Sequence, residues 1–232
     1  SEQSNRDRLA SIGRMLAGIL HDLKTPMTII SGYAQLMAQA PEVDKREQYV
    51  DQIQRQFAIM SGMAREVLAF ARGDADIVIR KVYLHRFFEE VYEQLRHSLA
   101  GRQIEIVIDA RYDGTAFFDE QKLIRVIHNL ARNAADAMPN GGRFQLTCDV
   151  EGDEWIVFEL ADNGPGIPAE IQGRLFELFA SAKKGGTGLG LAIVKKIVDE
   201  HGGSIEWSSG ATGTRFRVRL PRHRAEAPPA AP

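Results

Sequence analysis

The chain has 232 residues, 44% of them hydrophobic and 26% charged, with a formal net charge of −2. That length suits two small domains, the composition is that of an ordinary globular protein, and the charge excludes any bulk attraction to nucleic acid or anionic lipid. The one cysteine, Cys148, excludes a disulfide framework and an all-cysteine metal site, and fits a reducing compartment.

No stretch reaches about 18 uninterrupted apolar residues, so no membrane span is expected. The polar opening SEQSNRDR lacks a signal-peptide core, and the closing AEAPPAAP reads as a disordered tail.

From about Asn5 to Met37 the apolar residues fall in heptad order. The seam reads Leu9, Ile12, Leu16, Ile19, Leu23, Pro26, Ile30, Tyr33, Met37. Spacings alternate three and four, as in a coiled coil or helical bundle. Pro26 alone breaks the chemistry and should kink the helix. After the polar break AQAPEVDKRE a second heptad runs through Val50, Ile53, Phe57, Met60, Ala64, Val67 and Ala71. Two such helices form an antiparallel hairpin, marginal alone and stabilised by pairing into a dimeric four-helix bundle.

Residues 74–76 read as a linker, after which the periodicity changes. Strands are expected at Ile77–Leu84, Gln103–Asp109, Thr115–Phe118, Arg143–Val150 and Trp155–Ala161, with a final pair at Ser204–Ser208 and Thr214–Leu220. Helices are expected at His85–Leu99, Asp119–Met138 and Leu189–His201. The mixture predicts an α+β sandwich rather than a doubly wound parallel sheet. Cys148 lies in an alternating run, where a small core residue is the natural reading.

His21 falls at heptad position f, farthest from the seam, so its ring projects where a second domain can reach it. Thr25 lies one turn on, on the same face. Asp22 can hydrogen-bond one ring nitrogen, fixing the tautomer, or take its proton as general base. Asn129 and Asn133 share one face of the helix that carries them. Their carbonyl oxygens suit Mg²⁺, although two exposed polar residues would give the same pattern. The run from Asp162 to Pro168, DNGPGIP, follows a strand; its glycines allow close approach to a ligand, and a tight turn would use the same residues. Phe176 and Phe179 could wall a pocket or fill a core. The run from Gly185 to Gly190, GGTGLG, opens a helix whose free N–H groups could bind phosphate. It is neither a Walker A loop nor a dinucleotide fingerprint.

Jointly these stretches resemble the H, N, G1, F and G2 boxes of sensor histidine kinases, with Gly213-Thr214 similar to the weaker G3 box. The resemblance covers roughly Asp7 to Leu220. It implies a phosphotransfer hairpin at 1–73 and a catalytic ATP-binding domain of the Bergerat fold at 77–221, shared with chaperone, mismatch-repair and gyrase ATPases, with a tail at 222–232. It implies His21 as phosphoacceptor, Asp22 as acid/base, Thr25 as phosphatase residue, Asn133 as Mg²⁺ ligand and Asp162 as adenine reader. Asn129, Gly164, Gly166, Phe179, Lys183, Lys184, Gly186, Thr187, Gly188, Leu189, Gly190 and Thr214 complete the implied ATP site. The implied partners are a second copy and a response-regulator receiver domain, with no nucleic acid and no membrane contact from this segment. The implied location is cytoplasmic, leaving open a membrane anchor elsewhere in the parent protein.

Two departures stand out. The lid at Ala180–Gly185 is short, and Asp136 sits where some relatives carry a basic or aromatic residue, which would leave the phosphates to Arg132, Lys183 or Lys184. The main rivals are a pseudokinase scaffold, against which the intact motif residues count, and a phosphatase-dominated regulator. A chaperone, gyrase or anti-sigma ATPase would lack the histidine-bearing hairpin, and a coiled-coil adaptor would not need the glycine boxes.

Overall fold

The computed structural model describes residues 23–71, 77–177, 180 and 188–223, the side chains of 65–71 excepted. It divides into two compact units, Ser1–Ala75 with Glu177–Leu189, and Asp76–Phe176 with Gly190–Pro232.

In the first unit, helix α1 is described over residues 23–39 and helix α2 spans Val43–Ala71. The break between them is only three residues long, as an αα-hairpin needs. Arg46 closes it by donating from Nε to the Ala40 carbonyl at 2.7 Å. Tyr33 and Tyr49 pair their rings across the hairpin at 5.7 Å. Seam residues Leu23, Ile30, Tyr33, Met37, Ile53 and Met60 are half-buried, while Val50 and Phe57 stay exposed. Pro26 is buried within a helical run.

The second unit is a two-layer sandwich. Strands β2 (Ile104–Ala110), β4 (Gly142–Glu151), β5 (Trp155–Asp162), β7 (Gly213–Pro221) and β6 (Ser204–Gly210) form one sheet in the order β2-β4-β5-β7-β6. Only β2 and β4 run parallel; the remaining pairs are antiparallel. Helices α3 (Leu84–Ser98), α4 (Glu120–Ala137) and α6 (Gly190–Glu200) pack on it, and a four-residue α5 (Ala169–Gln172) lies between. Strands β1 (Arg80–Tyr83) and β3 (Thr115–Phe118) make a separate antiparallel pair. This is the expected α+β sandwich.

The first strand is shorter than the predicted Ile77–Leu84. The Val78 N–H donates to the Asp119 carboxylate at 3.0 Å instead of entering a ladder. Leu84 is fully buried as the first residue of α3, with its N–H given to the Gly114 carbonyl. Asp119 likewise stands just outside α4 as its N-cap, its Oδ1 accepting the Lys122 N–H. The core centres on Phe87, Phe118 and Phe158, whose rings meet edge to face at 5.3–6.4 Å. Cys148 is buried there, and burial, followed by the neighbouring Asp149 charge, pushes its thiol up to about 12. Among the described residues no helix is long and apolar enough to cross a membrane.

Candidate functional site

Cross-strand register decides which side of the sheet Asp162 serves. It pairs with Phe144 on β4 and Thr214 on β7, and both of those are buried. Residues in register share a face, so Asp162 ends β5 on the helix-covered side. Its Oδ1 accepts the Gly164 N–H at 2.9 Å and the Thr214 N–H at 3.2 Å. Burial raises its carboxyl above the ordinary aspartate range, and these two donors only partly offset that.

The turn after Asp162 is built from close backbone approaches. Gly166 has φ 85°, and a Cβ there would meet the Gly210 carbonyl at 2.3 Å. Gly213 has φ 139°, and a Cβ would lie 1.9 Å from the Asp162 carbonyl oxygen. Any side chain at either position would force the turn off the sheet end. Two residues outside the predicted set hold the turn from its flanks. Asn163 accepts the Arg143 N–H on Oδ1 at 2.7 Å, and Ser209 Oγ accepts the Ile167 N–H at 2.7 Å. Each bonds a backbone group distant in sequence, which the fold alone brings to it.

Helix α4 runs beside this turn. A Cβ on Gly164 would touch Met138 and Ala137, at the helix's C-terminal end. A Cβ on Gly190, the first residue of α6, would lie 3.4 Å from Asn129 Oδ1. Positions 129, 133 and 137 recur every four residues on one helix face. Asn133 is therefore midway between the two glycine contacts, and both asparagines are half-buried. Arg132 Nη2 reaches Asn129 Oδ1 at 3.4 Å. Asp136 accepts from Arg102 Nη1 at 2.5 Å, which gives the unexpected acid a structural partner.

Asn129, Asn133, Asp162, Gly164, Gly166, Gly190 and Thr214 thus come together around α4 and the ends of β5 and β7. Gly188 has φ 62° and Leu189 is fully buried, both directly before α6. Thr25 is exposed on α1. His21, Asp22, Phe179, Lys183, Lys184, Gly186 and Thr187 lie outside the described residues.

Residues 118–224 match the family described as histidine kinase-, DNA gyrase B- and HSP90-like ATPase. Residues 11–76 match the His kinase A phospho-acceptor domain. The chain belongs to the sensor histidine kinases. This histidine kinase core is 34% identical over 221 residues to the C4-dicarboxylate transport sensor protein DctB of Rhizobium meliloti, covering 92% of this chain and 35% of that protein. It is 32% identical over 238 residues to the sensory histidine kinase/phosphatase NtrB of Azospirillum brasilense, covering 94% of this chain and 58% of NtrB. It therefore spans less than two thirds of the length of these relatives. The histidine kinase ThkA, solved in complex with the response regulator TrrA, superimposes with a TM-score of 0.78 over 96% of this chain and 65% of that one. At 23% identity that likeness bears on the fold alone.

Proposed function

We propose that this core phosphorylates His21 from ATP and passes the phosphoryl group to an aspartate of a response-regulator receiver domain. The observation that carries the reading is the Asp162 carboxylate, held by the Gly164 and Thr214 N–H groups beside the asparagine face of α4. It lies in the ATPase-like stretch of a chain whose other matched stretch carries His21.

In this reading Asp162 accepts a hydrogen bond from the adenine amino group, and the start of α6 at Gly188–Gly190 offers N–H groups to the phosphates. In the same reading Lys183 and Lys184 reach the phosphates from the lid, Thr187 follows just past it, and Phe179 closes the base side. Asn133 provides one neutral, half-buried carboxamide oxygen, a donor that fits an ion completing its shell with water and phosphate oxygens. Mg²⁺ held there would neutralise charge on the phosphate oxygens. A ring nitrogen of His21 attacks the γ-phosphorus in line while the bond to the ADP oxygen breaks. The proton on the other ring nitrogen passes to Asp22, and ADP departs. Positioning and charge neutralisation supply most of the acceleration. The core works as a homodimer through its hairpin, in the cytoplasm where ATP is available.

The decisive experiment incubates the chain with γ-labelled ATP and Mg²⁺ and maps the modified residue. Acid-labile label on His21, lost in His21→Gln with nucleotide binding retained, is the expected result. Label on another residue, or label persisting in the variant, would refute the acceptor assignment. Thr25, exposed on α1, is read as the residue that orients water on the phosphorylated regulator. Thr25→Ala should spare autophosphorylation and slow regulator dephosphorylation; equal loss of both would make Thr25 structural.

A further inference from the structure

Helices α4 and α6 pack side by side, and two contacts fix their register in opposite directions. At one end Asn129 Oδ1 lies against the backbone of Gly190. At the other, the Asp119 N–H donates to His201 Nε2 at 3.0 Å. Asp119 to Asn129 is ten residues along α4, and Gly190 to His201 is eleven along α6. At 1.5 Å per residue both spans come to about 15–17 Å, so the helices run antiparallel, with α6 lying along the first part of α4.

His201 is buried immediately after α6. Its Nδ1 lies 2.7 Å from the Ile197 carbonyl, so Nδ1 is the donor and Nε2 is left to accept. Asp119 makes two further bonds: Oδ1 caps α4 through the Lys122 N–H at 3.2 Å, and Oδ2 accepts the Val78 N–H at 3.0 Å. Lys122 Nζ stands 4.0 Å from Glu200, a second tie between the same helix ends. One residue therefore joins the start of α4, the end of α6 and the backbone where the chain enters the sandwich.

We propose that Asp119 and His201 are positioning residues that set the register of α6 on α4, and with it the place of Gly190 against Asn129, while tying that register to the backbone at Val78. The inference rests on the nucleotide reading given above. Neither residue touches the substrate. A slip of one residue would move α6 by about 1.5 Å along α4, and a misplacement of about 1 Å can cost on the order of a hundred-fold in rate. Coupling is reciprocal: a nucleotide that favours the bonded register must also protect the bonds that set it.

The test uses the full chain and a non-hydrolysable ATP analogue. His201→Leu keeps an apolar side chain of similar bulk but leaves the Asp119 N–H without an acceptor. His201→Gln offers a carboxamide oxygen near the position of Nε2. Measured well below each variant's melting temperature, His201→Leu should weaken nucleotide binding by about ten-fold or more, and His201→Gln should recover most of the loss. In the unaltered chain, hydrogen exchange at the Val78 and Asp119 amides should slow when nucleotide is added. A folded His201→Leu chain with unchanged affinity would overturn the proposal, because a merely structural histidine would lower the melting temperature and leave affinity alone. A His201→Gln chain as weak as the leucine variant would also overturn it. If His201→Leu does not fold, amide exchange in the unaltered chain decides. Nucleotide binding with no change at either amide sinks this inference alone, whereas no nucleotide binding at all sinks the functional reading and this inference with it.

Discussion

In the sandwich, Phe87, Phe118 and Phe158 are fully buried and pack ring edge against ring face. On the hairpin, side chains of the same kind face outward: Met27 is 58% exposed, Val43 65% and Phe57 54%. Its buried apolar side chains, among the described residues, are Ala40, Met63 and the ring of Pro26. The hydrophobic effect rewards area removed from water, so the sandwich supports itself, whereas the hairpin gains most if another surface covers it. In the proposed reading that surface is the hairpin of a second copy. One unit is then built to hold a ligand site still, and the other to be completed by assembly.

The sharpest way to break this comparison is a matched pair of core changes. Phe118→Ala should cost about 3–5 kcal/mol, read as a lowered denaturation midpoint. Phe57→Glu should leave the sandwich transition in place and shift the chain from dimer to monomer in sedimentation. If Phe57→Glu stays dimeric, or destabilises the sandwich as much as Phe118→Ala does, the two units do not differ as argued. A smaller effect is expected at Gly213→Ala. The new Cβ meets the Asp162 carbonyl at a backbone angle that other residues rarely adopt. A loss on the order of 1–3 kcal/mol is expected, together with weaker nucleotide binding, because the carboxylate moves with the turn. Wild-type affinity in this variant would separate the turn from the site.

The smallest stability effect, and the one of opposite sign, belongs to Asp162→Asn. Burial raises the folded-state carboxyl above its unfolded value. The stability linked to that group is complete below the ordinary aspartate pKa and is lost as pH rises through the higher folded value. At neutral pH the asparagine variant, which keeps an oxygen for the Gly164 and Thr214 N–H groups, should melt slightly higher than the parent. The gap should close as pH falls through that window. Nucleotide binding should nonetheless fall sharply. A variant that melts lower at neutral pH would show that the carboxylate stabilises the fold rather than burdening it.

What could be read from the residues alone follows from how local each signal is. The hairpin was legible because a heptad repeats its message every two turns. Asp162, Gly164 and Gly166 were legible because an acid followed by spaced glycines is unusual after a strand. Helix α4 was legible from its long amphipathic run, although Asp119 proved to be its cap rather than its first turn. The rest depends on pairings between distant segments. Strand β1 finds β3 about 35 residues later, and nothing in Arg80–Tyr83 names that partner. Thr214 reaches Asp162 only because β7 lies beside β5 in one register. Asn163, Ser209 and His201 hold distant backbone groups through side-chain hydrogen bonds, which leave no periodic trace.

The chain's single thiol has a practical consequence. Cys148 is shut inside the sandwich, and its resistance to ionisation leaves almost no thiolate near neutral pH. Maleimide dyes and nitroxide probes should pass it by. A cysteine introduced at exposed Val43, the first residue of α2, would then be the lone reactive handle on the chain. In the proposed dimer, the distance between two such labels could be tracked during turnover without first removing a native residue.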